Sequence, residues 1–165
     1  MKQVLAVLVE NKSGVLTRVA GLFSRRGFNI DSIAVGETME AGISRMIITL
    51  DGDEAEVEQV EKQLNKLINV LKVVNLTHEP TVSRELMLIK VKAEPQTRSD
   101  IQQIVGTFRG KVVDVSLNSL IIEVTGDEKK LEAIKLLLQQ FGIQEVSRTG
   151  LVSLQRGSKT NGERP

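Results

Sequence analysis

The stretch VENKSGVL (Val9 to Leu16) places four polar residues and a glycine between one apolar run and the start of another. If a strand ends near Glu10 and a helix begins near Gly14, Ser13 or Asn11 is expected to cap that helix. The residue three after Ser13 is Leu16, so no carboxylate reaches back to occupy the first amides. The N–H groups of Gly14, Val15 and Leu16 would then point outward with the positive end of the helix dipole. Such an arrangement suits a carboxylate or a phosphate. Gly14 allows close backbone approach, and Asn11 offers both a donor and an acceptor. The same residues also make an ordinary strand-to-helix turn. A phosphate loop is disfavoured, because Lys12 precedes the glycine and the G-x-x-x-x-G-K-[ST] spacing is missing. A second stretch, RRGFNIDSI, sets Asn29 between Phe28 and Ile30 at the start of an extended segment. Asn29 and Asp31 read equally well as the outward positions of an alternating strand. Arg25 and Arg26 close the preceding helix, where their charge suits the negative dipole end.

Composition narrows the chemistry further. There is no cysteine, so disulfides, thiolate metal sites and cysteine nucleophiles are all excluded. The one histidine, His78, stands in LTHEP beside a proline, a setting for a solvated connector and not for a catalytic triad or a histidine metal site. Net charge is +1, and splitting the chain at Pro80 gives 9 basic and 11 acidic residues before it and 13 and 10 after it. Neither half has the basic excess of a nucleic-acid or membrane-surface binder. An apolar content of 41% with 26% charged residues fits a globular protein. No apolar run reaches the roughly 18 residues of a membrane span, and a cytoplasmic location is expected.

The elements that must position these residues occur twice. In the first half QVLAVLVE reads as a strand, and Val15, Leu16, Val19, Leu22 and Phe23 recur at helical spacing up to Gly27. FNIDSIAVGE and SRMIITL read as two strands joined through TMEAG. In GDEAEVEQVEKQLNKL, Asp53 is the expected cap with Glu56 as its box partner, and Val57, Val60, Leu64 and Leu67 form the buried stripe. NVLKVVNLT closes the unit as a strand. The polar stretch His78 to Glu85 reads as a linker. The second half repeats the order: LMLIKVKA, a helix through Ile101, Ile104, Val105 and Phe108, a hairpin turning at Leu117 and Asn118, the helix DEKKLEAIKLLLQQFG, and one or two strands in IQEVSRTGLVSL. MIITLDGDEAEVEQVEKQL lies over LIIEVTGDEKKLEAIKLLL without a gap, and both switch from strand to helix at Gly-Asp-Glu. The expected fold is α+β, two ferredoxin-like βαββαβ units. The second unit's corresponding loop, EPQTRSD, lacks glycine and carries Asp100 near its helix start, so only the first is equipped for an anion.

Helices on one sheet face leave the other face to be covered. The doubly apolar first strand and the small size of each half predict a second sheet or a second chain over it, and therefore a homodimer.

VLVENKSGVLTRVAGLFSRRGFNIDSIAVG, SRMIITLDGD and QVEKQLNKLINVLKV closely resemble the small regulatory subunit of acetolactate synthase, and RELMLIKVKA, FRGKVVDVS and EVSRTGLVSLQRG resemble the same family's C-terminal domain. The resemblance implies residues 1–77 as an ACT domain that binds the effector and 85–157 as a C-terminal ferredoxin-like (ACT-like) domain, while polar composition reads 78–84 as a linker and 158–165 as a disordered tail. It also implies a non-catalytic protein that binds and activates the catalytic subunit and confers feedback inhibition by valine, leucine or isoleucine in branched-chain amino-acid biosynthesis. No cofactor is expected on this chain; thiamine diphosphate, Mg and FAD are expected on the catalytic partner. By the same resemblance the effector lies between the ACT domains of two subunits. Asn11, Gly14, Val15 and Leu16 would hold its charged end from one chain, with Asn29 and Ile30 approaching from the other. A stand-alone amino-acid sensor with a different client enzyme is the alternative. An acylphosphatase-like enzyme would need an arginine where this loop has only Lys12, and an RNA-binding sheet would need more than four phenylalanines.

Overall fold

The computed structural model describes residues 1–160. The described residues divide into two compact units, Met1–Val82 with residues 151–160, and Ser83–Gly150.

The first unit runs β1 (Lys2–Glu10), α1 (Val15–Arg25), β2 (Ile30–Glu37), β3 (Ile43–Asp51), α2 (Glu54–Leu64) and β4 (Val70–Asn75). The sheet order is β2-β3-β1-β4, and every adjacent pair is antiparallel. Alternation along the strands decides which residues meet the helices. Leu5, Val7 and Val9 of β1, with Met46, Ile48 and Leu50 of β3, face Val15, Val19, Leu22 and Phe23 of α1 and Val57, Val60 and Leu64 of α2. Helix α2 starts as expected. The Asp53 carboxylate accepts from the Glu56 amide at 2.8 Å, and the Glu56 carboxylate accepts from the Asp53 amide at 3.1 Å. Helix α1 ends at Gly27, whose φ of 75° reverses the chain at little steric cost.

On the other face of this sheet Ala6, Ile47 and Leu76 form a second apolar cluster, with Val4, Val74 and Leu151 packed against it. Part of the cover that alternation demanded therefore comes from the same chain, returning from position 151.

The second unit contains β5 (Thr81–Lys92, which begins in the first unit), α3 (Arg98–Thr107), β6 (Lys111–Val115), β7 (Ser119–Gly126), α4 (Glu128–Leu138), a short 3₁₀ turn (Gln139–Phe141) and β8 (Ile143–Arg148). Its order, β6-β7-β5-β8, repeats that of the first sheet. Met87, Ile89 and Val91 of β5 and Leu120, Ile122 and Val124 of β7 pack on Ile101 and Val105 of α3 and Leu131, Ile134 and Leu138 of α4. Both units are ferredoxin-like, and the fold is α+β.

Two stretches differ from expectation. The polar segment 78–84 is extended strand from Thr81 onward, because β9 (Val152–Gln155) pairs with β5. Close to that pairing, the Arg156 amide donates to the Pro80 carbonyl at 2.8 Å and its Nε to the Thr81 carbonyl at 3.0 Å. Partners 75 and 76 positions away supply these bonds, so local polarity could not reveal them. The segment from Leu151 likewise groups with the first unit and not with the second. Of the tail expected to be disordered, Ser158 to Thr160 are exposed, with Lys159 3.5 Å from Glu79, and residues 161–165 lie outside the described residues.

Candidate effector-binding site

The loop between β1 and α1 differs from expectation in a way that favours an anion. Neither Ser13 nor Asn11 caps α1. The cap position is Gly14 itself, in the left-handed region at φ 84°, and no side chain hydrogen-bonds to the first turn, which contains no acidic residue. A side chain at the cap could act only with extended backbone at that residue, and the left-handed turn removes this option. The Val15 amide makes one long bond, 3.4 Å, to the Lys12 carbonyl, so it is partly satisfied. The amides of Gly14 and Leu16 have no partner among the described residues. The Val15 side chain is buried in the core, whereas Leu16 is 49% exposed beside its own amide. Nothing lies within 4 Å of where a Gly14 side chain would begin, so the approach is open.

Antiparallel neighbours hold the loop from two sides. Toward β3, the Asn11 amide donates to the Gly42 carbonyl at 2.8 Å, and its side-chain Nδ2 reaches Glu37 Oε1 at 3.4 Å. With Nδ2 engaged in this way, the Asn11 Oδ1 is the side chain's acceptor atom. Toward β4, the Glu10 amide donates to the Asn69 carbonyl at 2.9 Å, and the Asn69 Nδ2 donates to Glu10 Oε2 at 3.2 Å. Lys12 Nζ lies 2.7 Å from the same Glu10 oxygen. Hydrogen bonds from Lys12 and then Asn69 hold the Glu10 carboxyl below its ordinary pKa. The loop's one lysine is thus already paired. Amides, and not Lys12, are left to meet an anion.

Asn29 and Ile30 lie at the opposite end of α1. An 11-residue helix separates the two groups by about 16 Å. Asn29 is exposed, with its Nδ2 3.4 Å from Asp31 Oδ1, and Ile30 packs against the first core. Register shifts between Ile30 and Ser32, which leaves Asp31 as the extra residue of an edge bulge. Asn29 and Ile30 line a surface hollow together with Ala20, Ser24, Gly27 and Phe28. Within one chain, then, Asn11, Gly14, Val15 and Leu16 converge, while Asn29 and Ile30 form a separate group.

In the second unit the matching helix start is differently built. Thr97 has φ −101°, Asp100 occupies the first turn, and the Thr97 hydroxyl is engaged by Glu94 at 3.1 Å.

Residues 5–72 match the model of the AHAS small subunit-like ACT domain, and residues 84–157 match that of the small subunit of acetolactate synthase. A probable acetolactate synthase small subunit from Archaeoglobus fulgidus is 56% identical over 159 residues, 96% of this chain and 99% of its own length. The chain belongs to the acetolactate synthase small-subunit family. Another member, the small subunit from Mycolicibacterium smegmatis, is 54% identical over 155 residues, 94% of this chain and 91% of its own. A crystal structure of the acetolactate synthase small subunit from Thermotoga maritima superposes with a TM-score of 0.86 at 44% identity, covering 96% of this chain and 99% of that one. All six candidate residues fall inside the segment that matches the family's ACT domain. No helix among the described residues is long and apolar enough to cross a membrane.

Sequence reasoning did not find Glu10, Arg18, Glu37 or Asn69. Arg18 Nη1 donates to Asn69 Oδ1, and the two are 51 positions apart. The antiparallel register of β1 and β4 pairs Val9 with Val70 and so sets Glu10 beside Asn69, while Arg18 reaches the same asparagine from α1.

Proposed function

We propose that this chain is the regulatory subunit of a thiamine-diphosphate-dependent acetolactate synthase. It binds and activates the catalytic subunit and makes it sensitive to valine or a related branched-chain amino acid. The α1 start carries this reading: free amides at Gly14 and Leu16, a glycine at the cap in the left-handed region, and no carboxylate in the first turn. The effector's carboxylate meets those amides, and its ammonium meets the Asn11 side-chain oxygen. Its branched side chain lies against exposed Leu16, where each buried CH₂ contributes roughly 0.8 kcal/mol. One methylene discriminates by only about 1–3 kcal/mol, so selectivity among valine, leucine and isoleucine is modest.

Asn29 and Ile30 enter from a second copy of the chain. The ~16 Å along α1 is far longer than one amino acid, so a single effector cannot touch both groups of the same chain. A shared effector favours one arrangement of a homodimer over another, and this differential affinity is what feedback control requires. The catalytic partner, and not this chain, supplies the thiamine diphosphate, magnesium and FAD.

The test is thermal unfolding of the isolated protein with valine, leucine, isoleucine and glutamate. An effector at about 100 times its dissociation constant adds roughly 2.7 kcal/mol of stability. Stabilisation by a branched-chain amino acid but not by glutamate supports the reading. Equal response to glutamate, or none to any of them, counts against an effector site on this chain.

A further inference from the structure

The effector loop has little of its own to hold its shape. Between Glu10 and Val15 its internal backbone bonds are Lys12 N–H to the Glu10 carbonyl at 2.9 Å and the long contact from Val15 to Lys12. No side chain caps the start of α1. Yet the direction of the free amides depends on where β1 ends and where α1 begins. One residue from outside the loop bonds to both boundaries. Asn69 takes the Arg18 guanidinium on its Oδ1 and gives its Nδ2 to the Glu10 carboxylate at 3.2 Å. Its carbonyl also accepts the Glu10 amide at 2.9 Å. Arg18 lies in the second turn of α1, and its own amide donates to the Gly14 carbonyl at 3.0 Å, so the side chain held by Asn69 belongs to the turn resting on Gly14.

Asn69 is itself on a firm base. It sits in the turn between α2 and β4, closed by the Val70 amide on the Leu67 carbonyl at 3.1 Å, and Leu67 packs against the first core. The amide side chain suits this work, because it donates to a carboxylate from one atom and accepts from a guanidinium on another. Aspartate could accept but not donate, and would set a second carboxylate beside Glu10.

We propose that Asn69 is a positioning residue for effector binding: it clamps Glu10 to Arg18 across the mouth of the loop and so fixes the amides of Gly14 and Leu16. The proposal rests on the effector reading above. Asn69→Ala and Arg18→Met, singly and together, test it in the full-length protein, with valine binding measured by calorimetry and unfolding by denaturant. Each single variant is expected to bind valine at least tenfold more weakly while the protein stays folded. The double variant should be no weaker than the worse single one, because both remove the same clamp. Asn69→Asp should lose as much as Asn69→Ala. A structural role alone would lower stability without that pattern in affinity. Binding by Asn69→Ala within twofold of the parent, or losses that multiply in the double variant, overturns the clamp and leaves the effector reading intact. If the parent protein binds no branched-chain amino acid, the effector reading fails and the clamp falls with it.

Discussion

Gly14 offers the sharpest separation between backbone strain and ligand electrostatics. Its φ of 84° is one that residues with a side chain rarely adopt, and no atom lies within 4 Å of the position a Cβ would take. For Gly14→Ala the whole cost is therefore conformational, about 1–2 kcal/mol, with no steric term added. The methyl group enters open space, so the amides stay accessible and valine affinity should fall only a few-fold. Gly14→Asp carries similar strain but also sets a carboxylate where the effector's own is to lie. Two unit charges about 5 Å apart at an effective dielectric of about 20 repel by roughly 3 kcal/mol, which is on the order of two hundredfold in affinity. Denaturant titration should place the two variants close together in stability. Calorimetry with valine should place them about two orders of magnitude apart. Equal valine affinity for the two would show that the effector's carboxylate lies elsewhere. A Gly14→Ala protein as stable as its parent would show that the left-handed cap is not adopted in solution.

Asn29→His should abolish the effector response while leaving activation of the catalytic subunit intact, as read by acetolactate formation with and without valine; joint loss in a folded protein would show the two functions are inseparable. In the second unit Glu85 is buried, with its carboxylate bound by Arg148 at 2.8 and 3.1 Å and by the Gly150 amide at 3.1 Å. Removing a partner from a buried pair costs about 3–5 kcal/mol, and Arg148 is about one-third exposed, so Arg148→Met should cost about 3 kcal/mol or less in denaturant unfolding. Glu10 and Glu132 both titrate below their ordinary range, Glu10 chiefly through Lys12 and Glu132 chiefly through Lys135. Their contribution is therefore fully present above the unfolded glutamate pKa and is lost as pH falls through the depressed folded values; Lys12→Met and Lys135→Met should flatten the acid limb of a stability–pH curve. Asp53→Ala removes the capping box of α2 and should cost about 1 kcal/mol, with no change in valine affinity.

Much of this protein could be read without coordinates, for a physical reason. Side-chain period, caps and glycines act over a few residues. The strand-to-helix switch at Gly-Asp-Glu, the Asp53–Glu56 box and the stop at Gly27 were therefore visible in the chain itself. So was the contrast between the two helix starts, one with glycine and no acid, the other with Asp100. Asn11, Gly14, Val15 and Leu16 are contiguous enough that local reasoning brought them together. Local reasoning failed at the cap, since whether Ser13 or Gly14 ends the turn depends on a backbone angle and not on residue type.

What tertiary structure alone decided lies across long separations. Antiparallel register placed Asn69 between Glu10 and Arg18, and Gly42 and Glu37 beside Asn11. Pairing with residues 152–155 drew a polar connector into a strand, and the return of Leu151 covered Ala6, Ile47 and Leu76. A hydrogen bond between residues 51 positions apart leaves no periodicity in the sequence, because neither partner's type depends on its own neighbours. The chain by itself sets which donors and acceptors stand at the α1 start. The folded sheet sets which distant residues hydrogen-bond to that loop.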